Sequence, residues 1–243
     1  MRIALLSDVH GNLPAFEAVL ADVDAQTVEE VWCLGDLVGY GAQPDGCVEL
    51  ARGRCDVSLA GNHDLVVTGE IPIADFSSHA AAAARWTQET IGEETMTYLR
   101  ELSPADAERE PALYHASPRD PIWEYVLSGW QAEECMDAME ARVAAVGHSH
   151  VALWFRRDDS GSVSGATANA GAEHDLSAGT WLVNPGGVGQ PRDGDPRAAW
   201  LLLDTLEWTA TWRRVEYPID EAARAIEEAG LPRVLAERLY NGQ

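Results

Sequence analysis

The sequence predicts a layered α/β fold, because short apolar runs alternate with segments that have the apolar spacing of amphipathic helices. Residues 3–6, 31–34 and 143–146 are apolar runs of strand length, and polar residues follow each of them. Behind the first run, apolar side chains recur at helical spacing at Leu13, Phe16, Leu20 and Val23. Functional side chains of layered α/β folds gather at the carboxyl ends of strands, so the polar residues are the candidates for a site.

The first half of the chain predicts three strands and three helices. The strands are residues 3–6, 31–34 and 56–60. Asn12 is the expected N-cap of the first helix, because its side chain can accept a hydrogen bond from a backbone N–H. Further helices are predicted around residues 45–52 and over the Ala-rich residues 78–102, and the following Ser-Pro pair ends the second of them.

The second half of the chain predicts more strands, three helices and one long loop. Strands are predicted at residues 112–114, 122–127, 143–146, 151–155, 180–183, 198–203 and 206–213. The last alternates apolar and polar residues, as a strand with one buried face does. Helices are predicted over residues 132–139 and onward from residues 219 and 232. Residues 158–179 predict a hairpin or surface loop, and without a repeat or linker we expect one domain, residues 1–243.

The composition predicts an acidic globular protein with a small partner. Hydrophobic residues make up 46% of the chain, which is typical of folded rather than disordered proteins. The formal net charge of −23 repels nucleic acids and anionic membrane surfaces at long range, so neither is an expected partner. The chain has no Lys. Positive charge for an anionic substrate must therefore come from Arg or from bound metal.

The cysteines and the N-terminal segment predict a cytoplasmic protein. No two of the four cysteines, Cys33, Cys47, Cys55 and Cys135, have the Cys-x-x-Cys spacing. Only residues 3–6 are apolar before the first polar cluster, which is too short for a secretory signal. No segment approaches the length of a membrane span.

The first polar cluster has residue types that bind metals. Asp8 and His10 are two positions apart, and in an extended segment such side chains point the same way. A carboxylate and an imidazole aimed at one point suit a divalent transition metal. The alternative is a solvated strand end with no ligand.

Four similar clusters follow other apolar runs. They are Gly35-Asp36, Gly61-Asn62-His63-Asp64, His115, and Gly147-His148-Ser149-His150. A turn or a helix cap would explain each cluster alone. Together the five clusters hold five of the seven histidines of the chain, which is hard to reconcile with unrelated core histidines. The clusters offer seven possible ligands, which are too many for one metal ion and suit two ions that share a carboxylate. They are Asp8, His10, Asp36, Asn62, His115, His148 and His150.

In chain order, the motifs resemble those of the calcineurin-like metallophosphoesterase superfamily. The matching motifs are Asp8-x-His10, Gly35-Asp36, Gly61-Asn62-His63-Asp64, His115 and Gly147-His148-x-His150. Residues 115–121 and 184–192 are similar to later segments of the small bacterial branch of YfcE-type phosphodiesterases. The resemblance implies an α/β four-layer α/β/β/α sandwich with two mixed β-sheets.

The resemblance also implies a role for each residue. Asp8, His10, Asp36 and His150 would hold one metal ion, and Asp36, Asn62, His115 and His148 would hold the other. In this scheme Asp36 bridges the ions, His63 is the catalytic histidine and Asp64 orients it. Mixed nitrogen and oxygen ligands favour Mn, Fe, Zn, Ni or Co over Mg or Ca.

One position departs from a related group. Protein Ser/Thr phosphatases and dinucleoside tetraphosphatases of the superfamily carry an Arg shortly after the second motif, and this Arg binds the phosphate. Residues 37–41 contain no Arg. Arg119 and Arg192 are the candidate replacements, and the alternative for each is an ordinary loop arginine.

The expected function is a dinuclear-metal-dependent phosphoesterase. It would hydrolyse a small phosphodiester or phosphomonoester by attack of a metal-bridging hydroxide. The alternative is a non-catalytic metal-binding scaffold, or a sensor of a phosphate-containing ligand, on the same fold.

Overall fold

The computed structural model describes residues 1–243 and contains twelve strands and eight α-helices. The strands are β1 (Arg2–Leu6), β2 (Glu30–Cys33), β3 (Val57–Ser58), β4 (Ala105–Asp106), β5 (Ala112–Tyr114), β6 (Val143–Val146), β7 (Ala152–Arg157), β8 (Val163–Thr167), β9 (Glu173–Asp175), β10 (Thr180–Pro185), β11 (Ala198–Asp204) and β12 (Thr209–Val215). The helices are α1 (Leu13–Asp24), α2 (Pro44–Arg54), α3 (Asn62–Thr68), α4 (Ser78–Thr90), α5 (Glu93–Arg100), α6 (Gly129–Ala138), α7 (Ile219–Glu228) and α8 (Arg233–Asn241). A short 3₁₀ helix, Ile73–Asp75, lies between α3 and α4.

The strands form two mixed sheets of six strands each. The first sheet has the order β3-β2-β1-β11-β12-β9, with β1, β2 and β3 parallel and the other pairs antiparallel. The second has the order β4-β5-β6-β10-β7-β8, with β5, β6 and β10 parallel and the other pairs antiparallel. Strands β1 and β2 are parallel, and so are β5 and β6. The polar clusters that follow the two strands of each pair therefore lie at the same edge of their sheet.

The sheets pack face to face, and helices cover both outer faces. Strand β1 shows this, since Ile3 and Leu5 pack in the core between the sheets, whereas Ala4 and Leu6 pack against helices. Helix α6 covers the second sheet, and the other seven helices share one core with the first sheet. The predicted four-layer α/β/β/α sandwich is confirmed. None of the helices qualifies, by length and hydropathy together, as a membrane span.

Helix α1 begins as the sequence predicts. The side chain of Asn12 accepts a hydrogen bond from the backbone N–H of Ala15 at 3.2 Å. Phe16, Leu20 and Val23 of the predicted stripe are buried in the core beneath the helix. This helix fixes the direction in which the chain leaves the first polar cluster.

The predicted helix over residues 78–102 is two helices. Helix α4 ends before Ile91, and α5 starts after Gly92. The backbone N–H of Gly92 donates to the carboxylate of Asp45 at 3.0 Å, and the Thr95 hydroxyl donates to the same carboxylate at 2.5 Å. A side chain of α2 thus stabilises the start of α5, which the local sequence does not reveal.

The strand predicted at residues 122–127 is wrong. The carboxylate of Asp120 accepts hydrogen bonds from the backbone N–H groups of Ile122 and Trp123, at 3.0 and 3.1 Å. Such an Asx turn competes with strand pairing, so the segment up to α6 has no regular structure.

The last predicted strand starts later than residue 206. Asp204 accepts hydrogen bonds from the backbone of Leu206 and Glu207, so a turn precedes β12. Leu206 is 79% exposed instead of buried. The alternation holds only from Thr209, where Ala210 and Trp212 face the core.

Residues 158–179 contain two strands. Strand β8 pairs with β7 as the predicted hairpin, whereas β9 pairs with β12 in the other sheet. The segment therefore crosses between the sheets at the edge away from β1 and β2.

Candidate metal centre and cavity

The five predicted clusters meet at one edge of the two sheets. Asp8, His10, Asp36 and His150 bring their ligand atoms within 4.8 Å of one another, and so do Asp36, His115 and His148. Every one of these side chains is buried. Either group could hold a metal ion, and Asp36 is common to both.

Asp36 lies at the centre of this arrangement. Its Oδ2 lies 3.4 Å from His10 Nε2 and 3.6 Å from His115 Nε2. Its Oδ1 accepts a hydrogen bond from the backbone N–H of His63 at 2.8 Å. One carboxylate oxygen therefore faces imidazole nitrogens of both groups, while the other ties Asp36 to the start of α3.

Three histidines are held in one tautomer by backbone carbonyls. His10, His115 and His150 each donate their ring Nδ1–H to a carbonyl oxygen. The acceptors are, in the same order, Val38, Leu34 and Gln190, at 3.1, 2.9 and 2.6 Å. Each neutral ring then presents its Nε2 lone pair to the centre, as metal-binding histidines do.

The polar atoms at the centre fit divalent cations. The Nε2 atoms of His10 and His150 face each other at 3.0 Å, and His115 Nε2 lies 3.2 Å from the amide oxygen of Asn62. Both oxygens of the buried Asp8 lack a hydrogen-bond partner. Lone pairs that face each other at these distances repel, and burial of an unpaired carboxylate costs free energy. A cation bound among these atoms would remove both costs. Nitrogen and oxygen donors together suit a transition metal.

Burial shifts the protonation of these groups toward neutral forms. Burial raises the pKa of the Asp8 carboxyl to about 7, and the neighbouring His115 partly offsets this. Burial also lowers the pKa of the His10, His148 and His150 imidazoles well below the usual value. Neutral imidazoles are the form that binds a metal.

The side chains converge through left-handed backbone turns and not through an extended chain. Seven non-glycine residues have positive φ, and five of them are predicted ligands. These five are Asp8, His10, Asp36, His148 and His150, with φ between 50° and 62°. Asp8 and His10 converge in one group as predicted, but the extended-segment reason for it is wrong. His148 and His150 belong to different groups. Such conformations carry strain, which concentrates at functional sites.

His63 lies beside the two groups without belonging to either. Its ring is buried 4.4 Å from the ring of Tyr40 and 4.4 Å from that of Phe76, measured between centroids. Its Nδ1 has no hydrogen-bond partner and packs on Gly39, where a Cβ would come within 2.3 Å of this nitrogen. Burial lowers the pKa of His63 well below the usual value, so the ring is neutral.

The hydrogen bonds of Asp64 do not support the expectation that it orients His63. The Asp64 carboxylate accepts hydrogen bonds from the backbone N–H groups of Leu37, Val38 and Gly61, at 3.3, 3.1 and 2.8 Å. It makes no hydrogen bond to the His63 ring. His63 and Asp64 are consecutive residues of α3, and consecutive side chains of a helix do not face each other. Asp64 instead fixes the loop after Asp36.

A cavity of about 240 Å³ opens beside the two groups. Its wall includes His63, Arg192 and four aromatic side chains, Tyr40, Phe76, Trp123 and Tyr125. None of these four aromatic residues is among the site residues predicted from the sequence. Their segments have no regular structure, and the alternation of Trp123 and Tyr125 resembled a strand.

The structure separates the two candidate arginines. The Arg192 guanidinium lines the cavity, lies 5.6 Å from the centre of the Tyr40 ring and donates to Gln190 Oε1 at 2.9 Å. Arg119 is exposed, and its guanidinium pairs with Glu134 at 3.3 Å and with Glu124 at 3.8 Å. Arg119 is not among the residues that line the cavity, so the expectation for it is not supported.

Comparisons with known proteins give the chain a family. The sequence model of the calcineurin-like phosphoesterase superfamily domain matches residues 1–207. A metallophosphoesterase from Sphaerobacter thermophilus is 40% identical over 100% of this chain and 99% of its own, with a TM-score of 0.88. The uncharacterized protein MJ0912 of Methanocaldococcus jannaschii is 35% identical over 99% of this chain and 98% of its own.

A more distant structure shares the fold. The hypothetical protein PH1004 of Pyrococcus horikoshii OT3 is 22% identical, with a TM-score of 0.79 over 100% of this chain and 98% of its own. The family model covers residues 1–207, and the two similar sequences match nearly the whole chain. The chain therefore belongs to the calcineurin-like phosphoesterase superfamily.

Proposed function

We propose that the protein is a hydrolase that uses two divalent transition-metal ions to cleave a small phosphodiester or phosphomonoester. The observation that carries this proposal is the position of Asp36 Oδ2, within 3.6 Å of histidine nitrogens from both groups. A carboxylate oxygen that faces both groups could be shared by two ions at the separation of about 3.5–4 Å that two-metal hydrolases use. Family membership supports a hydrolase, and the geometry supports two ions rather than one.

The proposed ligands follow the two groups. Asp8, His10, Asp36 and His150 would hold one ion, and Asp36, Asn62, His115 and His148 would hold the other. Asn62 joins the second group because its amide oxygen lies 3.2 Å from His115 Nε2. When bound, the ions would neutralise charge on phosphoryl oxygens and lower the pKa of a water molecule.

His63 and Arg192 would act on the phosphoryl group from the protein side. Because His63 Nδ1 is enclosed without an acceptor, the neutral ring is expected to carry its proton on Nε2. That N–H would donate a hydrogen bond to a phosphoryl or leaving oxygen. Arg192, the basic residue that lines the cavity, would bind a second phosphoryl oxygen.

The charge and the cavity both favour a small substrate. The net charge of −23 repels a long polyanion such as DNA. The cavity of about 240 Å³ is smaller than the roughly 300–1,000 Å³ of pockets for drug-sized ligands. A phosphoester of modest size satisfies both conditions.

Hydrolysis of bis(p-nitrophenyl) phosphate and of p-nitrophenyl phosphate, assayed with Mn, Zn, Ni and Mg, tests the proposal. We expect turnover with a transition metal, and a His63→Ala protein that keeps its metal but loses about 10²-fold in kcat. Full metal occupancy with no turnover on any ester would contradict the proposal and favour the non-catalytic scaffold.

A further inference from the structure

The cavity beside the proposed ligands has an aromatic wall. Phe76 lies on the His63 ring at 4.4 Å, and Tyr125 stacks on the His148 ring at 4.1 Å with the planes 25° apart. None of Tyr40, Phe76, Trp123 and Tyr125 belongs to the proposed ligand set. Aromatic rings do not replace the water that hydrates a charged phosphate. The wall is therefore suited to another part of the substrate.

Two separate segments build the outer part of this wall. Phe76 follows the 3₁₀ helix between α3 and α4, and Trp123 lies in the irregular segment between β5 and α6. Their rings meet edge to face, with centroids 5.9 Å apart and planes at 87°. Both are only half-buried, so ring surface remains available to a ligand.

The charges in the cavity limit the number of phosphates. Arg192 is the basic residue of the lining, and the exposed Asp75 adds a negative charge to the wall. A chain of phosphates needs several cationic partners, and this wall offers one guanidinium besides the proposed ions. The part of the substrate beyond the phosphoryl group should therefore be uncharged.

We infer that the substrate is a phosphoester with a single phosphoryl group and one flat aromatic or heteroaromatic ring, which packs against Phe76 and Trp123. This inference rests on the proposed function, because it assumes that the phosphoryl group lies at the Asp36 cluster. Aromatic side chains prefer a flat ring over a saturated ring of the same size, since ring pairs are stabilised beyond the area they bury.

Calorimetric binding of three phosphonates to the Mn-loaded protein tests the inference without any turnover. Methyl-, cyclohexyl- and phenylphosphonate share the anionic group and differ only in the attached group. We expect phenylphosphonate to bind more tightly than cyclohexylphosphonate by about 2- to 10-fold. We expect methylphosphonate to be the weakest of the three.

Leucine variants assign the preference to the wall. Phe76→Leu and Trp123→Leu should each reduce the phenyl-to-cyclohexyl ratio toward one while leaving the affinity for methylphosphonate within about 2-fold. Trp130→Leu is the matched control, because Trp130 is 66% exposed on α6 and does not line the cavity. It should keep the wild-type ratio.

Equal affinities for phenyl- and cyclohexylphosphonate in the wild-type protein would overturn the inference, as would a ratio that neither leucine variant changes. Turnover of bis(p-nitrophenyl) phosphate by the same preparation is measured in parallel. A protein that turns over the ester but shows no ring preference contradicts this inference alone. A protein that shows the preference but no turnover supports the ring site and contradicts the proposed hydrolysis.

Discussion

Asp8, a proposed metal ligand, is a buried carboxyl whose protonation is coupled to folding. Its carboxyl is fully buried, and both oxygens lack a hydrogen-bond partner. Burial raises the pKa of Asp8 from 3.8 to about 7. Between these values the unfolded carboxyl has lost its proton and the folded one has not, so the metal-free protein loses stability as the pH rises through this window.

We predict that Asp8→Asn removes this pH dependence. Between pH 5 and pH 8, the free energy of unfolding of the metal-free wild-type protein should fall by about 2 kcal/mol more than that of the variant. Urea unfolding of both proteins in the presence of chelator measures the difference. Parallel pH profiles for the two proteins would show that Asp8 is not a destabilised carboxylate.

Asp64 is predicted to act on stability more than on chemistry. Its carboxylate accepts three buried backbone N–H groups, and Asp64→Ala leaves all three without a partner. We expect the free energy of unfolding to fall by roughly 3 kcal/mol or more. Asp64→Asn, which keeps one acceptor oxygen, should lose less. An alanine variant with wild-type stability and a large loss of kcat would instead support a direct role beside His63.

Residues of the site differ in how well the sequence predicts them. The motifs of the proposed ligands stand out because polar residues of types that can bind metal directly follow apolar strands. The strained backbone at Asp8 and His150 does not stand out, since Asp and His are enriched in left-handed conformations but adopt them too rarely to predict one from the sequence. The partners of Asp64 are also hidden, because two of them lie 26 and 27 residues away in the chain.

Among the structural elements, the loop between β10 and β11 is fixed to the sheets by a buried ion pair. Arg214 of β12 contacts the carboxylate of Asp193, and the same carboxylate accepts the backbone N–H of Ala152 at 3.1 Å. The two side chains are 4% and 8% exposed. This loop also carries Arg192 and the carbonyl of Gln190 that orients His150.

We predict that Arg214→Met weakens both the fold and the site. The variant leaves Asp193 buried without its partner, which should lower the free energy of unfolding by about 3–5 kcal/mol. The value of kcat/KM should fall, because the loop positions Arg192 and the carbonyl that orients His150. Arg213→Met is the control, since Arg213 pairs with the half-buried Asp22 of α1 and not with a residue of the loop. Equal effects of the two substitutions would contradict this account.

The elements that the sequence predicts well are those with a strong apolar period. The central strands and α1 match because burial on one or both faces determines their residues. Residues 122–127 and 206–208 fail because a single Asp side chain accepts backbone N–H groups and forms a turn inside an apolar alternation. The break between α4 and α5 depends on Asp45 from another helix.

For the whole molecule, the chain path favours one cooperative unit. The first sheet combines strands from both ends of the chain, since β1 pairs with β11, and the second sheet is built from the residues between them. Across the sheets, His115 donates to the carbonyl of Leu34. We propose a single domain, and predict that tryptophan fluorescence and far-ultraviolet circular dichroism give the same unfolding midpoint. Two separated midpoints would indicate two domains.

Anomalous diffraction from crystals soaked with Mn²⁺ shows whether Asp36 joins two cation sites. We expect two anomalous peaks for each chain, one on either side of Asp36 Oδ2, with Asp8 and His150 beside one peak and Asn62 and His148 beside the other. Asp36→Asn should lose at least one peak, whereas His63→Ala should keep both. A single peak, or peaks that do not contact Asp36, would contradict the account.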